Sequence, residues 1–198
     1  MIEHCRIFHF GSLSLTDEPA ASATKAAVTY AKEIGKWISF DPNLRKPLWI
    51  DLEQARAAIW YGIRECDILK IADDEIKWLT GVNDYDQGVK IIREHSKAKL
   101  INVTLGKNGS ISYNSNKKIF GQPSLSKDTV DTTGAGDTFC ASVLAFILEN
   151  GLNNLEKDQL EQMLLFANAA ASIVTTRKGA ICSMPNKEEV CALIVNRI

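Results

Sequence analysis

The stretch of the sequence that most clearly suggests a chemical role is Asp131-Thr132-Thr133-Gly134-Ala135-Gly136-Asp137-Thr138-Phe139, and an apolar helical pattern follows it. The small residues at 134–136 let backbone N–H groups approach an anion closely. A helix that begins there adds the positive end of its dipole at the same point. Because a phosphate group is the natural occupant of such a place, the stretch predicts a phosphate site.

Asp137 falls in the first predicted helical turn, beside this phosphate site. Its carboxylate could accept a proton from an attacking hydroxyl, which is the arrangement that phosphoryl transfer needs. A second interpretation is that the glycines only form a tight turn and Asp137 only stabilises the helix N-terminus. Glycine-rich turns are common, so the local pattern supports both interpretations equally. The sequence GxxxxGK[ST] is absent, which argues against a P-loop kinase.

Predicted strands alternate with predicted helices, which indicates an α/β fold on a mostly parallel sheet. Asn108-Gly109 predicts a turn into a further strand, Ser110 to Tyr113, so a hairpin and a mixed sheet are expected. The main predicted strands are Arg6 to Phe10, Trp37 to Phe40, Asp67 to Ile71 and Leu100 to Leu105, and the longest predicted helices are Gly136 to Glu149 and Leu160 to Thr175.

Length and composition favour one domain over residues 1–198, since 198 residues with 45% hydrophobic side chains can bury one core. The 23 basic and 24 acidic residues are scattered, so nucleic acid is not an expected partner. The apolar stretches are shorter than a bilayer requires and no signal peptide is recognisable, so no membrane association and a cytoplasmic location are expected. The five cysteines form no CxxC pair, so neither a disulfide framework nor a zinc site is implied.

Taken whole, Asp131 to Asp137 resembles the DTxGAGD signature of the ribokinase-like (pfkB-type) carbohydrate kinases. The resemblance implies a three-layer α/β/α sandwich with a mostly parallel central sheet, and ATP-dependent phosphoryl transfer to a sugar hydroxyl. In that family the glycine-flanked amides form an anion hole for the γ-phosphate, and the last Asp is the catalytic base. These roles would fall on Gly134, Ala135 and Gly136 for the anion hole and on Asp137 for the base.

Two further segments are similar to the nucleotide-binding parts of the family. Val103 to Gly109 resembles its TLGxxG loop, which implies that Thr104, Gly106 and Gly109 contact ATP. The segment from Phe166 to Ala171 resembles its adenine-pocket helix, which places Asn168 beside the base. For Asn168 alone, ordinary core packing explains the residue equally well.

The resemblance also implies metal sites. Asp73-Asp74-Glu75 is similar to an acidic motif whose last Glu helps to hold Mg²⁺, usually through water, and that role falls on Glu75. Many members also use a monovalent cation such as K⁺. The backbone near Gly179, together with Asp131 and Thr133, corresponds to that site.

Asp41-Pro42-Asn43-Leu44-Arg45 with Pro47-Leu48-Trp49 looks like a segment of fructokinases. Loops at the carboxyl ends of parallel strands face the ligand crevice, so Asn43 and Arg45 are expected to meet the sugar or the phosphate. Arg45 could neutralise charge on the transferring group. A 2-keto-3-deoxygluconate kinase, or another ribokinase-like sugar kinase, is the alternative.

Family members begin with a region that grips the sugar and carries a small β-sheet lid, and no counterpart precedes Arg6 in the sequence given. The chain therefore resembles the C-terminal, nucleotide-binding portion of a kinase. We expect it to phosphorylate sugar weakly or not at all by itself, because holding the acceptor and excluding water belong largely to that other region. A non-catalytic, kinase-derived binding or interaction module is the alternative from another class. The family often dimerises through the lid, so a homo-oligomer stays open.

Overall fold

The computed structural model describes residues 1–115, 117–123 and 128–196 of the chain. These residues form two compact units, Met1–Val103 and Thr104–Ile198. The single domain expected over residues 1–198 stays a prediction.

The first unit is built from strands and helices that alternate along the chain. The strand order is β1-β2-β3-β4, and the pairs β1/β2 and β2/β3 are parallel. The carboxyl ends of these parallel strands lie at one edge of the sheet, so the loops after β2 and β3 are neighbours. The elements are β1 (Ile7–Gly11), α1 (Ala20–Glu33), β2 (Trp37–Asp41), α2 (Leu52–Glu65), β3 (Ile68–Ala72), α3 (Asp73–Thr80), α4 (Tyr85–His95) and β4 (Leu100–Thr104).

The core of the first unit surrounds β2 and β3. Ile38, Phe40, Ile68, Leu69 and Ile71 are almost completely buried, as expected for parallel strands covered on both faces. Helix α2 packs closely on β2 because Gly62 has no side chain. A Cβ atom there would lie only 2.3 Å from the Phe40 ring. This close packing holds the strand that ends in the loop after Asp41.

The second unit combines a hairpin with three helices. Strand β5 (Ser110–Tyr113) pairs in antiparallel fashion with β6 (Lys118–Gly121), and α5 (Ala135–Asn150), α6 (Lys157–Val174) and α7 (Lys187–Val195) follow. Helix α6 approaches β6 so closely that a Cβ atom on Gly121 would lie 2.6 Å from Asn168 Nδ2 and 2.9 Å from Leu164 Cβ. Helix α6 and the turn that precedes β5 line part of a cavity described below.

The predicted strands and long helices are confirmed, and their ends differ from the predicted ones by at most three residues. The predicted turn after β4 is also present, because Leu105 N–H donates to Gly109 O at 2.8 Å. The elements β6 and α7 were not predicted. Within the described residues, every helix is too short or too polar to cross a membrane.

Candidate active site

The predicted phosphate site lies where α5 begins. Gly134 precedes the helix with φ 83°, a left-handed conformation that strongly favours glycine. Ala135 N–H donates to Thr132 O at 3.2 Å, and Thr138 N–H donates to Gly134 O at 2.9 Å. For the N–H groups of Gly136 and Asp137, the described residues provide no such acceptor. These two amides point out of the positive end of the helix, where an anion is stabilised.

Asp137 lies in the first turn of α5 and its side chain is exposed. It is one residue beyond Gly136, so its carboxylate stands at the rim of the same helix terminus. The predicted base and the predicted anion-binding amides thus belong to one helical turn.

A cavity of about 350 Å³ lies in the second unit. It brings together four of the predicted residues, Ala135, Gly106, Gly109 and Asn168, whereas Thr104 does not line it. Lys107 adds a positive charge that suits phosphate groups. Its remaining lining residues are Thr129, Thr132, Ala171, Ser172 and Thr175.

Asn168 is 7% exposed and lines this cavity. Its Nδ2 atom donates to Gln122 O at 3.1 Å, so the hairpin fixes the orientation of the side-chain amide. Ala171 and Ser172 follow on the same face of α6, and Thr175 lies directly after the end of the helix. Sequence reasoning included Ala171 in the adenine-pocket segment but missed Ser172 and Thr175. The three residues lie three, four and seven positions after Asn168, and this spacing could have indicated that they share one face with it.

Asp131 fastens the segment before α5 to the loop after α6. Its Oδ1 accepts Thr133 N–H at 2.9 Å, and its Oδ2 accepts Gly179 N–H at 3.2 Å. These residues are the ones that the sequence associates with a monovalent cation. Backbone and side-chain hydrogen bonds from Thr133, with the bond from Gly179, lower the pKa of the Asp131 carboxyl.

We predict that NMR titration will show the Asp131 carboxyl ionising below the ordinary aspartate pKa of about 3.9. Because the pKa is lower in the folded state, the stabilising contribution is fully present above the unfolded value. It is lost as pH falls through the folded value. Thr133→Val keeps the amide donor and removes the hydroxyl, so it should move the pKa only part of the way upward. Titration of wild-type Asp131 at or above the ordinary value would contradict the hydrogen-bonding pattern.

A second cavity, of about 360 Å³, lies in the first unit beside the loop that follows β2. Two predicted residues, Arg45 and Glu75, line it together with Asp74 and Trp78, and Leu44, Lys46 and Pro47 complete it. Asn43 does not line it. Asn43 instead has φ 44°, and its N–H donates to Asp41 Oδ1 at 3.2 Å.

Glu75 is 8% exposed, and both of its carboxylate oxygens already accept backbone amides. Oε1 accepts Leu44 N–H and Oε2 accepts Ala72 N–H, each at 2.7 Å. Burial raises the pKa of this carboxyl, and nearby Lys70 opposes the increase.

The described residues contain no group of three or more His, Cys, Asp or Glu side chains that could hold a metal. A contact from Glu75 to Mg²⁺ through water fits this geometry better than direct coordination, since Mg²⁺ keeps several waters and binds substrate phosphates.

Lys70 and Asp41 form a buried ion pair that sequence reasoning did not assign. The Lys70 Nζ atom lies 3.1 Å from both Oδ1 and Oδ2 of Asp41. The available signal was a lysine inside the otherwise apolar strand β3, since an unpaired charge is rarely buried.

The α/β fold and the candidate phosphate site at the start of α5 narrow the class of protein to which the chain can belong. Comparison with known families then identifies the family. The model of the pfkB family carbohydrate kinases matches residues 1–187. The chain belongs to this family, and its fold is therefore the ribokinase-like one that the DTxGAGD resemblance implied.

Several similar proteins are named fructokinases. The chain is 40% identical over 195 residues to "Probable fructokinase-2" of Arabidopsis thaliana and 38% identical over 194 residues to Fructokinase-1 of Oryza sativa, in each case over 98% of the chain. The matches cover 59% and 60% of those relatives, so the chain spans about three fifths of their length, as their C-terminal part. A shorter relative, "Putative fructokinase-8" of Arabidopsis thaliana, is 38% identical over 197 residues and is covered over 93% of its length.

Solved structures agree with this assignment. A fructokinase of Vibrio cholerae with bound fructose, ADP and calcium superposes with a TM-score of 0.84 at 29% identity, over 95% of this chain and 60% of that one. A fructokinase of Xylella fastidiosa with bound ATP gives 0.89 at 26% identity, over 99% of this chain and 63% of that one. The mixed, mostly parallel architecture expected from the sequence is confirmed.

Proposed function

We propose that this chain carries the ATP-handling part of a fructokinase-like carbohydrate kinase that transfers the γ-phosphoryl group of ATP to a sugar hydroxyl. The observation that supports this proposal most directly is a cavity next to the start of α5. Four predicted residues line it, namely Gly106, Gly109, Ala135 and Asn168. The solved relatives named above hold fructose, ADP or ATP. They support fructose as the sugar and ATP as the donor here.

The residues present fit a nucleotide. Gly109 lines the cavity, and the main chain packed behind it leaves no room for a side chain, because a Cβ atom on Gly109 would lie 2.4 Å from Gly121 O. Asn168 would contact the base, while Gly106, Gly109 and neighbouring Thr104 would contact the ribose and phosphates. When bound, ATP with Mg²⁺ would supply the phosphoryl group and neutralise part of its charge.

The chain's own groups would then act on the acceptor and on the developing charge. The carboxylate of Asp137 would take the proton of the sugar hydroxyl, and the amides of Gly136 and Asp137 would stabilise the equatorial oxygens at the helix terminus. The amide of Ala135 already donates to Thr132 O, so it would have to give up that bond to take part. Asn43 and Arg45 would hold the sugar or the transferring group. Glu75 would hold Mg²⁺ through water, and Asp131 and Thr133 would frame a site for K⁺.

Calorimetric titration with ATP and Mg²⁺, with and without fructose, tests the proposal. We expect one nucleotide to bind per chain. A chain that binds no nucleotide at millimolar ATP, roughly the weak end of ordinary substrate affinities, does not have this function. Repeating the experiment with 2-keto-3-deoxygluconate distinguishes the alternative sugar kinase.

A non-catalytic binding module is the second candidate, and the length comparison favours it. The chain spans about three fifths of the fructokinases it matches, and in our proposal the remaining part of those proteins helps to hold the sugar. We therefore expect little sugar-dependent ADP formation from these residues alone. A coupled assay that gives ordinary kinase rates, about 1–100 per second, would contradict this expectation.

We also propose a cytoplasmic location for the protein, and we leave a homo-oligomer open.

A further inference from the structure

A lysine stands in the middle of the buried strand β3. Lys70 is 7% exposed, and its neighbours Leu69 and Ile71 are fully buried. Its ammonium group is shared between the two carboxylate oxygens of Asp41, which is itself only 4% exposed. A buried ion pair is costly to desolvate and often adds little net stability, so its presence invites a reason besides stability.

The carboxylate that Lys70 binds also holds the loop that follows β2. Asp41 Oδ1 accepts the N–H of Asn43 at 3.2 Å. Asn43 has φ 44°, a left-handed conformation that is uncommon for residues with a side chain, although asparagine adopts it more readily than most. The orientation of one buried carboxylate is thus coupled to an unusual backbone conformation.

The next residues of the loop are fixed in the same way. Leu44 N–H donates to Glu75 Oε1 at 2.7 Å, and Pro42 O accepts Ser12 N–H at 3.2 Å as well as the Ser12 hydroxyl. The main chain from 42 to 44 is therefore bonded to β2, to the start of α3 and to the residue after β1. Arg45 follows immediately and lines the cavity beside Glu75.

We propose that Lys70 is a positioning residue for the second cavity, which Arg45 and Glu75 line and which is the candidate site for the sugar or the transferring group. Its ammonium group orients Asp41, Asp41 holds Asn43 in the left-handed conformation, and the loop then presents Arg45 to the cavity. The inference rests on the proposed function for the task of Arg45. The loop geometry itself does not depend on any bound ligand.

Amide hydrogen exchange of Lys70→Met tests the inference. We expect the amides of Asn43 and Leu44 to exchange at least about tenfold faster than in the wild type, since a free loop loses its local protection. The amide of Val28, in the buried part of α1, should not change. Lys90→Met, which removes an exposed lysine from α4, is the matched control and should leave all three amides unchanged.

Two results would overturn the proposal. One is unchanged exchange at Asn43 and Leu44 in Lys70→Met. The other is an increase of equal size at Val28, which would indicate global loosening. Should Lys70→Met not fold, Asp41→Asn interrupts the same connection from the other side with little change of shape, and the same local increase is expected. The wild type is itself a test, because exchange at Asn43 and Leu44 as fast as in an unstructured peptide would also refute the role.

Activity gives a readout that a merely structural role would not produce. In single-turnover phosphorylation of fructose, Lys70→Met should raise the half-saturating fructose concentration by about tenfold or more, because small misplacements of binding groups are costly. ATP affinity should stay the same. A variant that weakens ATP and fructose equally contradicts a positioning role. If the wild-type chain binds no ATP, the proposed function fails, while the exchange measurement still decides the role of Lys70.

Discussion

Asp137→Asn is expected to reduce phosphoryl transfer by about 10²–10⁴-fold, the usual contribution of a general base. Asparagine has nearly the same shape and cannot accept the proton of the sugar hydroxyl. Affinity for ATP should remain within about twofold, because Asp137 does not line the nucleotide cavity and an amide only removes a negative charge near the phosphates. The measurement is single-turnover transfer from γ-labelled ATP to fructose at high protein concentration, which detects weak activity.

Asp158→Asn provides the matched control, because Asp158 also lies in the first turn of a helix, α6. Both substitutions remove a favourable charge at a helix N-terminus, which costs about 0.3–1 kcal/mol at an exposed position. Only the change at Asp137 should affect transfer. If the two variants retain equal activity, Asp137 acts as a helix-stabilising charge and the base assignment is wrong.

Gly109→Ala is expected to destabilise the second unit by about 3 kcal/mol or more, because strain and overpacking add. Gly109 has φ 90° and ψ −136°, a region that is essentially restricted to glycine. A Cβ atom there would lie 2.4 Å from Gly121 O and 2.6 Å from Gln122 O, and neither backbone atom can rotate away. Chemical denaturation measures the loss of stability, and calorimetry should show ATP affinity lower by about tenfold in the folded fraction.

Gly106→Ala is the control, since Gly106 lines the same cavity and also has positive φ, 56°. A Cβ atom there would meet no atom within 4 Å. Gly106→Ala should lower the free energy of unfolding only by the cost of the left-handed conformation, about 1–2 kcal/mol. Equal destabilisation by the two substitutions would show that backbone conformation, rather than the close approach of the hairpin, explains the effect at Gly109.

The predictions made from local sequence patterns succeeded where interactions between residues close along the chain decide the conformation. Position 134 has a left-handed backbone conformation, which glycine adopts without steric cost. Helix α5 begins directly after it, as the string Asp131 to Asp137 predicts. The helix α7 was missed although Asn186 and Glu189 have the spacing of a capping box, and the structure shows both of its reciprocal bonds. The strand β6 was missed because it has only four residues, two of them exposed.

The family signature, most of the order of elements and four of the residues that line the cavity in the second unit could be read from the chain sequence. Each of these motifs depends on residue types within a few positions of one another. The long-range partners of Asp41, Glu75 and Asn168 could be identified only from the tertiary structure. Lys70 follows Asp41 by 29 residues, Glu75 follows Leu44 by 31, and Asn168 follows Gln122 by 46. Hydrophobic periodicity specifies which face of an element is buried, but partners so distant along the chain meet only when strand register and helix packing are set.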